Sequence, residues 1–127
     1  MPKQTLALHP ARFCIHSLDH NSPIPIEVLQ SPIFFISKTE DELSVVVPDE
    51  VKVQSEASDA NWRALEVLGP LSLSMVGIMA QLGSVFAKVN VSIFVVSTFD
   101  TDYFLIKHND LKAAVDALRA DGYKVTE

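Results

Sequence analysis

Apolar and polar positions alternate along this chain in two distinct periods, and the second half carries the clearer pattern. Residues 62–68 (WRALEVL) read as a strand. Met75, Ile78, Met79, Leu82 and Phe86 then recur at spacings of three and four, the period of a helix with one buried face, and Ser72 or Ser74 stands where its N-cap is expected. Residues 91–98 and 103–107 are β-branched and aromatic runs joined by an acidic turn, which predicts a hairpin. Asn109 or Asp110 opens a second helix carrying Leu111, Ala114, Val115 and Leu118. Gly122 stops it before a last strand at 123–126.

The order strand, helix, strand, strand, helix, strand contains two split β-α-β crossovers. That is the connectivity of a ferredoxin-like α+β sandwich, four antiparallel strands with both helices on one face. The first half repeats it in eroded form: segment 33–51 lies over 93–111 without a gap, and Leu8 and Pro10 fall over Leu68 and Pro70. Strands are expected at 5–9, 12–18, 33–38 and 43–47. Pro23, Pro25 and Pro32 interrupt the interval where a first helix would stand, because each lacks an amide donor and restrains the residue before it, so only a short helical turn fits. Residues 51–61 are polar and weakly patterned and read as a connector. A strand of one copy is able to complete the sheet of the other.

Composition narrows the function classes. The 127 residues are 48% hydrophobic, enough for one sizeable core or two small cooperating ones. A net charge of −6 with ten scattered Lys and Arg provides no cationic stripe, which argues against nucleic-acid and anionic-membrane partners. No apolar run approaches the ~20 residues of a membrane span, and the first residues lack a secretory pattern, so the expected location is cytoplasmic. Cys14 is the single cysteine, which excludes an internal disulfide and a multi-cysteine zinc site; packing is its ordinary role.

Candidate chemistry is sparse. Asp100 and Asp102 could be an acid-base pair, but in a hairpin turn such residues serve local backbone bonding or ligand contact more readily. His16 and His20 have the i, i+4 spacing of a helical zinc site yet straddle a strand end and a Pro-rich loop. Ser72 and Ser74 lack a nucleophile elbow, and the glycines at 69, 77 and 83 do not form a phosphate loop. His9 and His108 stand alone at element ends, and Trp62 reads as a packing residue. No metal, cofactor or catalytic constellation is expected.

Two segments, 69–82 (GPLSLSMVGIMAQL) and 91–103 (VSIFVVSTFDTDY), resemble the ACT domain, the small ligand-binding module of amino-acid metabolism. The second is similar to the regulatory ACT domains of aspartate kinases, with their valine-serine-threonine strand end, and to the eukaryotic arginine sensor CASTOR. The whole chain resembles small tandem-ACT proteins of bacteria and fungi. The resemblance implies two tandem ferredoxin-like ACT units (βαββαβ), a degenerate one with its connector at 1–60 and a complete one at 61–127. It further implies a bound amino acid between the loop that opens the first helix and the end of the following hairpin, at a face shared by two units. On the loop side stand Leu71, Ser72, Ser74, Met75 and Ile78; on the hairpin side stand Thr98, Phe99, Asp100 and Asp102. Backbone amides at a helix start would take the ligand carboxylate, and Asp102 its ammonium.

One departure from the arginine sensor bears on the ligand. No acidic residue occurs between Pro70 and Gln81, and a buried guanidinium without a partner costs several kcal/mol, so a neutral or apolar side chain is expected. The resulting expectation is a non-enzymatic, amino-acid-binding regulatory protein that forms a homodimer by pairing sheet edges or helices. Its alternative is a constitutive interaction module that keeps the fold without a ligand.

Overall fold

A computed structural model of the chain describes residues 3–69 and 77–127. The elements are β1 (Thr5–Leu18), α1 (Ile26–Leu29), β2 (Phe35–Lys38), β3 (Leu43–Pro48), β4 (Ala57–Gly69), α2 (Ile78–Lys88), β5 (Phe94–Ser97), β6 (Asp102–Lys107), a 3₁₀ turn (His108–Asp110), α3 (Leu111–Ala120) and β7 (Lys124–Thr126). They gather into two compact units. One joins the chain up to Pro10 with the residues from Arg63 onward, and the other comprises Ala11–Trp62.

In the larger unit α2 and α3 each bury one stripe. Ile78, Leu82, Val85 and Phe86 of α2 and Ala114, Val115 and Leu118 of α3 meet Leu65, Val67, Phe104, Ile106 and Val125 of the strands in one core. Phe86 and Phe104 sit with ring centroids 5.5 Å apart and planes tilted by 47°, within the range where aromatic pairs add to plain area burial. Met79, expected on the apolar stripe, is 38% exposed. Gly77 precedes α2 in the left-handed region (φ 84°), and its carbonyl accepts the first helical amide, from Gln81 at 2.9 Å. The helix therefore begins at Ile78 with Gly77 as its N-cap, which corrects the expectation that Ser72 or Ser74 caps it. Gly122 ends α3 as expected: at φ 96° it turns the chain so that the Tyr123 amide reaches the Leu118 carbonyl at 2.9 Å.

β5 and β6 pair antiparallel from Phe94 opposite Leu105 to Ser97 opposite Asp102. β7 pairs in parallel with the opening of β1, Thr5 opposite Lys124 through Ala7 opposite Thr126. That opening strand and Leu6 in the core come from the far end of the sequence, so a strand of the first half does complete the sheet of the second.

In the smaller unit β2 and β3 form an antiparallel hairpin, and β3 pairs antiparallel with β1 from Phe13 opposite Pro48 to Leu18 opposite Leu43. Its core is small: Leu18, Val28, Leu43, Val45 and Val47, with Ile24, Phe34, Val51 and Val53 packed around them. α1 is one turn of four residues started by Pro25, as the proline spacing requires. The connector expected at 51–61 is shorter than the sequence suggests, because Ala57–Asn61 already belong to β4. These five residues are all exposed and Asn61 has φ 67°, so backbone pairing rather than a buried face makes the strand, and a hydropathy pattern cannot reveal it.

The two hairpins correspond with a register one residue tighter than the gapless sequence overlay. β2 and β5 begin at 35 and 94, and β3 and β6 at 43 and 102. In this register core residues Val45 and Val47 match core residues Phe104 and Ile106. The overlay of 33 on 93 would pair Val45 with Leu105, which belongs to the opposite face, since a one-residue slip inverts a strand.

His16 of β1 is 7% exposed; its Nδ1 lies 2.9 Å from the Ser55 hydroxyl, while Nε2 is buried without a partner among the described residues. Burial pulls its pKa below the ordinary 6.5. The unfolded chain thus binds the proton more readily, so this contribution to stability is complete above pH 6.5 and is lost as pH falls through 6.5 toward the folded value. Denaturation midpoints measured on both sides of that pH should show a weaker acid dependence in His16→Gln than in the parent chain. In the larger unit, Phe104→Ala should cost about 3–5 kcal/mol in chemical denaturation, whereas Met79→Ala should stay within about 0.5 kcal/mol.

Candidate ligand-binding site

The expected loop side of the site, with Leu71, Ser72, Ser74 and Met75, lies outside the described residues. Ile78, just after it, is buried in the core of the larger unit beside Leu82 and Phe86. The hairpin side is described in full and is tightly bonded. Across the 98–101 turn the Thr98 amide donates to the Thr101 carbonyl at 2.8 Å, and the Thr98 hydroxyl donates to the same carbonyl at 3.1 Å while accepting from the Thr101 amide at 3.2 Å. The Thr98 hydroxyl closes the four-residue turn on the Thr101 backbone in this way because a hydroxyl is donor and acceptor at once.

Two further bonds fix the turn to its surroundings. The Thr101 hydroxyl donates to the Val67 carbonyl of β4, the strand that leads into the 70–76 segment. The Ser97 hydroxyl donates to Asp102 Oδ1 at 2.5 Å, which holds the carboxylate in one orientation with acceptor capacity left over. Tyr103, the next residue, bonds Glu66 of β4, and burial first, then the Glu66 charge and that bond, push its phenol pKa up. Of the expected hairpin residues, Asp102 is half-buried and oriented, whereas Thr98, Asp100 and Phe99 are exposed, Phe99 at 80%.

Ser97 and Thr101 are the residues that sequence reasoning passed over. Their signal was present in the polar run STFDTD at 97–102, but which hydroxyl binds which partner depends on the turn's closure. The arrangement offers a fixed anionic acceptor and hydroxyls. Elsewhere, His16 is buried on β1 and His20 is half-buried beside Asp19 at 3.8 Å. Among the described residues no group of three or more His, Cys, Asp or Glu stands together as a metal site, and no helix is long and apolar enough to cross a membrane.

Comparison with known proteins places this geometry in context. The family profile of the ACT domain matches residues 57–120. A crystal structure of a protein from Agrobacterium tumefaciens is 30% identical, covers 98% of this chain and 93% of its own, and superposes with a TM-score of 0.89. The regulatory subunit of aspartate kinase from Thermus thermophilus superposes over 91% of this chain and 95% of its own with a TM-score of 0.65 at 13% identity, which is a likeness of fold. The subunit 1 cytosolic arginine sensor for mTORC1 of Rattus norvegicus is 29% identical over 96 residues, 69% of this chain; the chain spans only 29% of that relative's length. With its own half from β4 to α3 matching the family profile, and its α+β sheet shared with the relatives, the chain belongs to the ACT domain family.

Proposed function

We propose that this chain is a non-enzymatic regulatory protein that binds a free amino acid, with Asp102 meeting the ligand ammonium and the 71–76 loop amides its carboxylate. The observation that carries the reading is the bond from Thr101 to the Val67 carbonyl, which holds the acid-bearing turn against the strand entering that loop. Asp102, oriented by Ser97, then supplies a charge-assisted acceptor at a fixed place. A neutral side chain fits the ligand better than a cationic one, because 70–81 contains no acid.

Two tandem units underlie this reading. Among the strands from β1 to β4 the order is β2-β3-β1-β4, the order of a ferredoxin-like sheet, with its second helix replaced by the 49–56 segment. From β4 onward the chain runs strand, helix, strand, strand, helix, strand, with β1 interposed between β4 and β7. In our reading the protein acts in the cytoplasm as a homodimer, and the ligand shifts its assembly to the extent that it binds one state better. A second reading, a constitutive interaction module without ligand, draws on Phe99, whose ring projects from a braced turn as an aromatic anchor for a partner would.

Calorimetric titration with the twenty common amino acids tests the first reading: at least one neutral amino acid should bind, and Asp102→Asn should weaken it by about ten- to a hundredfold, because the bond to the ammonium loses its anionic partner. Silence across the set at millimolar concentrations removes the ligand reading and leaves the interaction module.

A further inference from the structure

The larger unit contains a second concavity, which shares Ile78 with the expected amino-acid site and none of residues 98–102. It is a cavity of about 600 Å³ walled by the polar flank of α2, the residues entering β1 and the turn after α3, a size usual for metabolite sites. Its apolar wall is made by Ile78, Val85 and the nearly buried Tyr123. Its polar groups are unbalanced toward donors. The one carboxylate, Asp121, is already engaged: the Lys3 ammonium donates to its Oδ2 at 2.7 Å and to its backbone carbonyl at 2.5 Å, and lies 4.8 Å from the Tyr123 ring centre. The Lys3 bond, and to a lesser degree the charges of Lys3 and Lys88, hold the Asp121 carboxyl below its ordinary value.

Lys88, Gln81 and Ser84 stand one helical turn apart along α2 and make no side-chain hydrogen bond to any described residue. With two ammonium groups against one committed acid, the cavity carries a net positive charge inside a chain of net charge −6. An apolar wall facing a row of donors that are uncommitted among the described residues is an arrangement suited to an amphipathic anion.

We infer that this cavity binds a small organic carboxylate, its anionic end among Lys88, Gln81 and Ser84 and its apolar part on Ile78, Val85 and Tyr123. Lys3 and Asp121 form the back wall, where their bond offsets the negative charge of the acid. None of residues 98–102 lines the cavity, so the proposal does not require an amino acid to bind at the hairpin.

The test is a ¹⁵N-resolved NMR titration of the full chain with succinate, phenylacetate and inorganic phosphate as separate probes. A carboxylate should shift amides around Lys3, Gln81, Lys88 and Tyr123 and leave 98–102 unmoved. Its affinity should fall by about tenfold in Lys88→Gln, an exposed position where the melting temperature stays unchanged, and should persist in Asp102→Asn. Phosphate binding with both carboxylates silent overturns the ligand class. Silence of all three at millimolar concentrations, shifts confined to 98–102, or binding indifferent to Lys88→Gln overturns the site. Because Asp102→Asn separates the two locations, failure here and failure of the amino-acid reading are distinct results.

Discussion

The larger unit depends on one pairing, Thr5–Ala7 against Lys124–Thr126, which joins residues more distant in sequence than any other strand pair described. Parallel strands cannot be joined by a tight turn, so this pair forms only after everything between has been laid down. It sets Leu6 beside Val125 in the core and gives β7, three residues long, its hydrogen-bonded neighbour. The Lys3 to Asp121 bond lies just outside the pair and fastens the same two ends of the chain. The back wall of the carboxylate cavity is therefore a by-product of closing the sheet.

Much of this was legible in the sequence where local chemistry decides. The β5–β6 hairpin, the buried stripe of α3, the Gly122 stop and the stunted α1 all follow from periodicity or from the backbone restrictions of glycine and proline, and the structure has them where the pattern does. Three features escaped because tertiary context overrides the local signal. Ala57–Asn61 form a strand without a buried face. Gly77 starts α2 after the serines had offered themselves as caps. The repeat slips by one residue, which a gapless overlay of similar residues cannot detect but which the core-facing side chains expose at once.

The two proposed sites divide in the same way. Asp102 and the turn could be named from the run STFDTD, but the roles of Ser97 and Thr101 exist only once the strands are in register. The cavity was not readable at all: its residues come from the start of the chain, from the outer flank of α2 and from the turn after α3, and no motif links them. Polar residues on a helix flank read as ordinary solvated surface until another segment rises beside them.

The discontiguous make-up of the larger unit has a consequence for biosynthesis. On the ribosome the opening stretch of β1, Thr5–Ala7, emerges long before its partner at Lys124–Thr126 exists, so during elongation its unsatisfied edge is exposed to neighbouring nascent chains. The adjoining stretch of the same strand has β3 as a partner within the first fifty residues. That hairpin can therefore pair with its own stretch of β1 early, while Thr5–Ala7 wait for the last strand.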